Sequence, residues 1–427
     1  MKTIVKVDYG KKGLEIKLNP AWNVTVLCPV EQKKLLNPVG EIQKVIKNPA
    51  GSDSLKKIVE NKRNLKKICI VVSDATRPLP SYLILEGLIK ELNSYGIKDN
   101  QISILIATGL HRPSQEDEIE RIIGRSLRNR LKVINHVATD KNSMRFIGTT
   151  SNKSPIFINK NYCESELKIL CGYVEPHFFF GFSGGRKSIS PGIAGIETIQ
   201  ASHSANHIAS PNSRFGIYKN NPLHRHATEI AKKISPDFTV NVCINAKHQI
   251  TVVAAGDLEK VHEHLVNFQL KKIFKGISEP YDIVVCGNGG YPLDMNLYQA
   301  VKSMAIGEIA VTNGGTIISV NECADGIGGE KFRELIFSGM DPKALCNKIL
   351  NSEIVVPDQW EIQILTRILK KAEIYVVSNL KEDEIGNIGL KYANTVEEAI
   401  KQGLERHGED ASILILPNGP QILPILK

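Results

Sequence analysis

Short, uninterrupted runs of apolar residues alternate along this chain with stretches that have the periodicity of a helix. Residues 67–73 (KICIVVS), 101–108 (QISILIAT) and 168–174 (KILCGYV) are three of the apolar runs, and residues 82–95 form one of the helical stretches. Continuous apolar runs between helices are typical of parallel strands that helices cover on both faces. The pattern therefore predicts an α/β fold.

A segment that contains glycine and proline, residues 275–280 (KGISEP), follows a predicted helix at 258–274. Beyond it the alternation restarts, with predicted elements at 281–286, 297–306, 316–320, 374–378 and 412–416. An antiparallel pair is predicted at 237–253, with its turn at 245–248. Because 427 residues exceed one ordinary core, we predict two α/β domains, 1–274 and 281–427, each with a mainly parallel sheet flanked by helices. We expect 275–280 to be the linker and the active site to lie in the interdomain cleft.

The composition is that of a globular protein, with 42% hydrophobic and 23% charged residues. No apolar stretch is long enough to cross a bilayer, and residues 1–10 alternate like a strand and do not resemble a signal peptide. The eight cysteines include no CxxC pair, which favours buried free thiols over disulfides or a cysteine metal site. We therefore expect a cytoplasmic protein with no membrane partner.

The formal net charge is +9, which raises the question of nucleic acid binding. The lysines are spread along the whole chain, and aromatic residues make up only 6% of it. A basic stripe interleaved with aromatic residues is absent, so we predict no nucleic acid partner. The lysine-rich surface instead favours an anionic small molecule.

Polar residues follow the first two predicted strands, at the edge where open α/β sheets bind ligands. Asp74 and Arg77, in 74–78 (DATRP), can hold a hydroxyl and a carboxylate, because Arg offers a planar fork for two hydrogen bonds. His111, in 107–113 (ATGLHRP), is suited to proton transfer near neutral pH. The alternatives are a capped turn at 74–78 and a structural histidine at 111.

The third strand leads into residues 172–188 (GYVEPHFFFGFSGGRKS). Residues 181–188 are similar to a phosphate-binding loop, but Arg186 stands where that motif needs its second glycine, which argues against a nucleotide triphosphatase. Lys187 can instead be a covalent attachment point. A predicted helix at 199–208 places His203 and His207 on one face, a spacing that can hold a metal, although HExxH is absent.

A fourth polar segment, residues 287–294 (GNGGYPLD), follows a strand of the second predicted domain. Gln299 and Lys302 share one face of the helix after it. Placed across a cleft, they can bind the far side of a ligand. The alternative is an exposed helix with an ordinary lysine.

These segments together resemble the nickel-dependent lactate racemase family, in order and spacing, from Asp74 to about Trp360. The segments at 107–113 and 172–188 are the specific signatures, whereas DATRP and YQAVK (298–302) are weaker. The resemblance implies a nickel pincer nucleotide, a pyridinium mononucleotide with two sulfur-bearing arms that bind nickel. It implies that Lys187 is linked covalently to this cofactor and that His203 is the protein ligand of the nickel. The sulfur atoms of the cofactor and the histidine nitrogen are donors that suit Ni(II).

The resemblance also assigns roles to the other polar residues. His111 and His177 correspond to paired acid/base histidines, and Arg77 and Lys302 to groups that bind the substrate carboxylate. The further residues expected to contact the cofactor are Asp74, Gly184 and Gly185. Those expected to contact the substrate are Tyr298, Gln299 and Trp360.

The expected activity is racemisation or epimerisation of a small 2-hydroxy acid, with lactate as the first guess. The hydrogen at carbon 2 leaves as hydride to the cofactor while a histidine takes the hydroxyl proton, and return to the opposite face gives the other enantiomer. Separate cofactor-synthesis proteins are then implied as maturation partners.

Malate, an aromatic or branched hydroxy acid, or a sugar acid remain alternative substrates. From other classes, a zinc-dependent hydrolase using His203, His207, His224 and His226, or a non-catalytic nucleotide-binding protein, remain alternatives.

Overall fold

The computed structural model describes residues 3–62 and 64–426 of the chain. The chain divides into two compact units, one comprising Glu31–Lys271 and the other comprising Met1–Val30 together with Lys272–Lys427. We call these the central unit and the terminal unit. Each is an α/β structure built on one large sheet.

The strands, numbered in chain order, are β1 (Thr3–Val7), β2 (Leu14–Leu18), β3 (Asn23–Val26), β4 (Ile68–Ser73), β5 (Ile102–Ala107), β6 (Lys132–Asn135), β7 (Met144–Thr149), β8 (Pro155–Asn159), β9 (Leu167–Tyr173), β10 (Pro176–His177), β11 (Gly181–Phe182), β12 (Phe238–Ile244), β13 (Ile250–Gly256), β14 (Phe274–Ile277), β15 (Tyr281–Gly287), β16 (Val311–Val320), β17 (Glu373–Val377), β18 (Leu390–Tyr392), β19 (Ser412–Leu416) and β20 (Leu423–Leu426).

The α-helices are α1 (Pro38–Lys47), α2 (Leu55–Lys62), α3 (Ser81–Ser94), α4 (Glu116–Ile123), α5 (Arg125–Arg128), α6 (Lys160–Cys163), α7 (Ile196–Ser202), α8 (Ala205–Ala209), α9 (Pro222–Lys233), α10 (Leu258–Lys272), α11 (Leu297–Ala310), α12 (Glu330–Ile336), α13 (Pro342–Leu350), α14 (Gln359–Leu369) and α15 (Val396–His407).

The central unit contains a six-stranded sheet in the order β13-β12-β9-β4-β5-β6. All neighbouring strands in it are parallel except β12 and β13, which form the predicted antiparallel pair. The middle strands are apolar on both faces, since Ile70 and Val71 are both fully buried. Burying one such side chain contributes roughly 1.5–3 kcal/mol, which is why uninterrupted apolar runs settle in the middle of the sheet.

The terminal unit contains a second six-stranded sheet, in the order β18-β17-β16-β15-β19-β3, with every neighbouring pair parallel. Its core is apolar and includes Ile283, Val285 and Ile413. The predicted fold class, two domains with mainly parallel sheets flanked by helices, is thus confirmed.

The predicted domain ranges differ from these units at the N-terminus. Residues 1–274 were predicted as one domain, but β3 pairs in parallel with β19 and so completes the sheet of the terminal unit. The predicted linker, 275–280, begins three residues after the division at Lys272. Part of it forms β14, which pairs with β20.

One predicted helix is wrong. The stretch 199–208 is two helices, because His203 leaves the helical conformation (φ −95°, ψ 27°) and Ser204 is extended (φ −57°, ψ 149°). His203 and His207 therefore do not share the face of one helix. The other strands and helices predicted above occur within a few residues of their expected bounds.

All eight cysteines lie among the described residues and are free thiols, as predicted. Six of them are buried, as predicted, whereas Cys28 is exposed and Cys163 is partly exposed. In the described part of the chain, no helix is both long enough and apolar enough to span a membrane. The predicted strand at 1–10 corresponds to β1, with residues 1 and 2 outside the described part.

Candidate active site

Three polar segments of the central unit lie side by side because the strands that precede them are neighbours. β4 pairs with β9 on one side and with β5 on the other, all in parallel. The carboxyl ends of parallel strands meet at one edge of the sheet, which is the usual place for a ligand. The predicted site segments after these strands therefore begin at the same edge.

Asp74 and His111 form a direct contact at this edge. Asp74 Oδ2 lies 2.8 Å from His111 Nδ1, and Asp74 Oδ1 accepts a 2.9 Å hydrogen bond from the Thr76 hydroxyl. Arg77 Nη1 donates to the same hydroxyl oxygen over 2.9 Å. The structure thus brings together three predicted residues, Asp74, Arg77 and His111, through Thr76, a residue that was not predicted to take part.

The electrostatics of this cluster keep Asp74 ionised. Burial by itself raises the pKa of the Asp74 carboxyl, but the charge and hydrogen bond of His111, followed by the charge of Arg77, outweigh it and hold the pKa below its usual value. An ionised Asp74 accepts a hydrogen bond from Nδ1 of His111, which leaves Nε2 as the ring nitrogen that can face a substrate. His111 is 29% exposed, so a substrate can reach it.

His177 lies on a short hairpin formed by β10 and β11. His177 pairs with Gly181, whose φ of +79° lies in the left-handed region, and a Cβ at position 181 would stand 2.1 Å from the Ile217 carbonyl oxygen. His177 is buried, and its Nδ1 accepts long hydrogen bonds from the backbone amides of Phe179 (3.4 Å) and Phe180 (3.3 Å). The hairpin therefore fixes the ring of His177 against its own turn.

Lys187 and His203 meet on the same two aromatic rings. Lys187 Nζ lies 4.3 Å from the centroid of the Phe180 ring and 6.0 Å from that of Phe179. The ring of His203 lies 5.5 Å from Phe180 and 5.4 Å from Phe179, in edge-to-face arrangements. The ring of His177 packs on Phe179 as well, at 4.6 Å. The predicted lysine, metal ligand and second histidine thus surround one aromatic cluster.

The state of His203 fits that of a metal ligand. Its Nδ1 lies 2.9 Å from the Ile199 carbonyl oxygen, so Nδ1 carries the ring proton and Nε2 carries the lone pair. Burial lowers the pKa of His203 to about 3, which keeps the ring neutral. Metal-bound histidines commonly donate their other ring nitrogen in this way. The residues present therefore fit a metal ion that is bound by one neutral histidine nitrogen near Lys187.

The predicted glycines allow the chain to turn tightly before Lys187. Gly184 has φ +76°, and a Cβ on it would stand 2.8 Å from the Tyr173 carbonyl oxygen. The amide of Gly185 donates to Asn241 Oδ1 over 3.0 Å. Asn241 comes from the buried strand β12, and a polar residue within an apolar strand is the signal by which it can be found.

The other predicted residues belong to the terminal unit, where two pairs form. Trp360 Nε1 donates to the Tyr298 hydroxyl over 3.0 Å. Lys302 Nζ donates to Gln299 Oε1 in the first turns of α11. Within this unit the predicted residues therefore contact each other in pairs.

The alternative zinc site gains no support from the geometry. In residues 3–62 and 64–426, no three side chains of His, Cys, Asp or Glu group so that they can hold a metal ion. His224 packs on His262 with ring centroids 5.8 Å apart, whereas His226 packs on His207 at 5.5 Å. Three of the four histidines considered for zinc are thus divided between two pairings, and the fourth, His203, packs on Phe179 and Phe180.

Comparison with known proteins gives one consistent family. The lactate racemase N-terminal domain family matches residues 9–216, and the lactate racemase C-terminal domain family matches residues 277–423. A lactate racemase of Thermoanaerobacterium thermosaccharolyticum is 37% identical over 98% of this chain and 98% of its own length. A lactate racemase of Lactiplantibacillus plantarum is 39% identical over 88% of this chain and 89% of its own.

Solved structures agree with these matches. The lactate racemase apoprotein of T. thermosaccharolyticum superposes with a TM-score of 0.89 at 34% identity, covering 99% of this chain and all of that one (100%). A protein of Thermotoga maritima superposes with a TM-score of 0.73 at 21% identity, covering 93% of this chain and 100% of that one, which shows a shared fold alone.

Proposed function

Since this chain belongs to the lactate racemase family and is therefore an isomerase, we propose that it interconverts the enantiomers of lactate with the aid of a nickel pincer nucleotide. The observation that carries the proposal is the aromatic cluster of Phe179 and Phe180, on which Lys187, His203 and His177 converge. This arrangement provides an amine for attachment, a neutral nitrogen ligand and an acid/base group within one small region.

Lys187 and His203 are the residues that hold the cofactor in this proposal. The amine of Lys187 forms the covalent link, and Nε2 of His203 binds the nickel. When bound, the cofactor supplies the acceptor for the hydrogen at carbon 2 of the substrate. Cofactor-synthesis proteins are then needed to mature the chain.

His111 is the base for one enantiomer. Its Nδ1 proton points at Asp74, so Nε2 takes the proton of the substrate hydroxyl as carbon 2 loses its hydrogen. Ionised Asp74 stabilises the imidazolium that forms, as a buried carboxylate does for the histidine of a catalytic triad. The product of this step is a planar 2-oxo acid.

His177 serves the opposite hand. In this proposal each enantiomer has its own acid/base group, so His177 takes and returns the hydroxyl proton of the enantiomer that His111 does not serve. Arg77 binds the substrate carboxylate, and the Thr76 hydroxyl orients its guanidinium. Substrate binding by Tyr298, Gln299, Lys302 and Trp360, and cofactor contacts by Asp74, Gly184 and Gly185, stay predictions.

Mass spectrometry of the peptide that contains Lys187 tests this proposal, on protein produced together with the cofactor-synthesis proteins. We expect a cofactor adduct on Lys187, bound nickel, and conversion of L-lactate or D-lactate into the racemic mixture in a chiral assay. An adduct without lactate turnover redirects the substrate to malate, aromatic, branched or sugar acids. The absence of adduct, nickel and turnover, with a known racemase loaded in parallel, contradicts the proposal.

A further inference from the structure

Arg186 is a buried guanidinium without a carboxylate partner. Its side chain is 2% exposed, and within the described ranges no Asp or Glu oxygen lies within ion-pair distance of it. Burial lowers the pKa of Arg186 to about 9, which still leaves it charged at neutral pH. A buried cation destabilises the fold unless nearby dipoles compensate for the lost hydration. The groups that surround Arg186 therefore show what its charge acts on.

The guanidinium is surrounded by backbone carbonyls of the segment just before Lys187. Its Nη2 donates to the carbonyl oxygens of Phe182 (2.9 Å) and Phe180 (3.4 Å), and its Nη1 lies 3.4 Å from that of Gly184. The three carbonyls belong to alternate residues, so only a planar fork with several N–H groups can reach them together.

Nη1 of Arg186 also donates to Nε2 of His262, which lies on α10. Nε2 of His262 also lies 3.1 Å from the Ser183 carbonyl oxygen, so His262 contacts both Arg186 and the backbone that leads to Lys187. Burial and the charge of Arg186 hold the pKa of His262 well below its usual value, in agreement with a neutral ring. Through this contact Arg186 is anchored to a long helix outside the loop.

The opposite side of the segment is fixed by Asn241, whose Oδ1 accepts from the Gly185 amide. Residues 180–185 are therefore bound through their carbonyls by Arg186 and through an amide by Asn241. This segment leads from the His177 hairpin to Lys187, so its backbone sets where the Lys187 side chain begins.

We infer that Arg186 is a positioning residue, which holds the backbone of residues 180–185 so that the Lys187 amine stands over the Phe180 ring. The part of this inference that concerns cofactor attachment rests on the proposed function. The placement of Lys187 itself does not, since it is a property of the protein chain alone.

The test compares the wild type with Arg186→Lys, which keeps the charge but loses the fork, and Arg186→Met, which loses both. Arg125→Lys is the matched control, because Arg125 is 83% exposed. Amide hydrogen exchange of the apoprotein is measured in the peptides that cover residues 178–190. Acylation with a limiting amount of an amine-reactive reagent measures the reactivity of Lys187 relative to that of surface lysines. Covalent loading of Lys187 is measured on protein produced with the cofactor-synthesis proteins.

We expect Arg186→Met to speed exchange in 178–190 by about tenfold while other peptides stay unchanged. The acylation of Lys187 in Arg186→Met should differ from that in the wild type by a similar factor, and the covalent loading of Lys187 should fall about tenfold. In each measurement, Arg186→Lys should lie between Arg186→Met and the wild type. Wild-type exchange and wild-type acylation in Arg186→Met overturn the inference. If that variant does not fold, the same readouts on Arg186→Lys decide, with wild-type values again overturning it. If the wild type acquires no cofactor on Lys187, that result contradicts the proposed function and not the inference about Arg186. Hydrogen exchange and acylation of the apoprotein still decide the role of Arg186.

Discussion

The Nδ1 atom of His111 lies 2.8 Å from Oδ2 of Asp74, and this contact fixes the orientation of the imidazole ring. The carboxylate accepts the ring proton, and His111 in turn helps to hold the pKa of Asp74 below its usual value against the effect of burial. A base is thereby prepared before any substrate arrives.

Replacing Asp74 with Asn tests this preparation. The amide keeps the size of the side chain but removes the charge that stabilises a protonated His111, so we expect kcat to fall by about 10²–10⁴ with a smaller change in KM. Steady-state kinetics with both lactate enantiomers measure the effect. Asp99→Asn is the control, since Asp99 forms a partly exposed ion pair with Arg130. A kcat within threefold of the wild type, about 0.7 kcal/mol, would contradict the assigned role.

Replacing His177 with Ala separates acid/base chemistry from cofactor binding. We expect racemisation to fall by about 10²–10⁴, because one side of the planar intermediate then lacks its proton donor. Loading of Lys187, measured by peptide mass spectrometry, should remain at the wild-type level. His264→Ala is the matched control, because His264 is exposed on α10. Near-normal turnover in His177→Ala would rule out the mechanism with two histidines.

Replacing Gly181 with Ala tests the turn of the His177 hairpin. Two effects combine at this position, the left-handed φ of +79° and the approach of a Cβ to the Ile217 carbonyl oxygen. Gly96→Ala is matched, because Gly96 has φ +88° but nothing within 4 Å of its Cβ. We expect Gly96→Ala to cost about 1 kcal/mol of unfolding free energy and Gly181→Ala clearly more. If urea unfolding showed the same decrease in the free energy of unfolding for both variants, the contact between the new Cβ and the Ile217 carbonyl oxygen would carry no energetic penalty.

The buried His136 predicts how stability depends on pH. Its Nε2 donates to the Ala194 carbonyl (2.9 Å) and its Nδ1 accepts from Asn159 (3.2 Å), so the neutral ring is fully bonded. Burial lowers the pKa of His136 to about 4 from 6.5. The unfolded chain therefore binds this proton first, and the stability that His136 contributes is complete above pH 6.5 and is lost as the pH falls toward 4.

That loss amounts to roughly 3 kcal/mol, since one pKa unit corresponds to about 1.36 kcal/mol. Urea unfolding of the wild type and His136→Gln between pH 7 and pH 4 measures it, with exposed His264→Gln as the control. We expect a shallower fall in the free energy of unfolding for His136→Gln. An unchanged slope would mean that other groups carry the acid sensitivity.

The buried sheets could be predicted from sequence because their strands carry a strong local signal. The run at 67–73 became β4, since every residue from Ile68 to Val72 is buried and none interrupts the apolar pattern. β3 carries no such signal, because its residues are exposed or only partly buried. Its place beside β19 depends on a partner far away in sequence, and local patterns contain no information about such a partner.

The same distinction applies to the site. Residues at strand ends, such as Asp74 and His111, could be predicted because the sheet brings neighbouring strand ends together. The end of α7 before His203 could not be predicted from sequence, because it depends on the backbone conformation of His203 itself. Thr76 and Arg186 act through hydrogen bonds that only the folded backbone defines, whereas Asn241 carries the one signal of a polar residue within an apolar strand.

The pairing of β3 with β19 has a consequence for how the protein is made. β3 leaves the ribosome before any part of the central unit, whereas β19 is synthesised after the whole of it. The central unit can fold during translation, but the terminal unit waits with an unpaired strand until its distant partner emerges. A fragment that starts at Lys272 would lack β3 and leave the edge of β19 unpaired, and an unpaired strand edge favours association between chains.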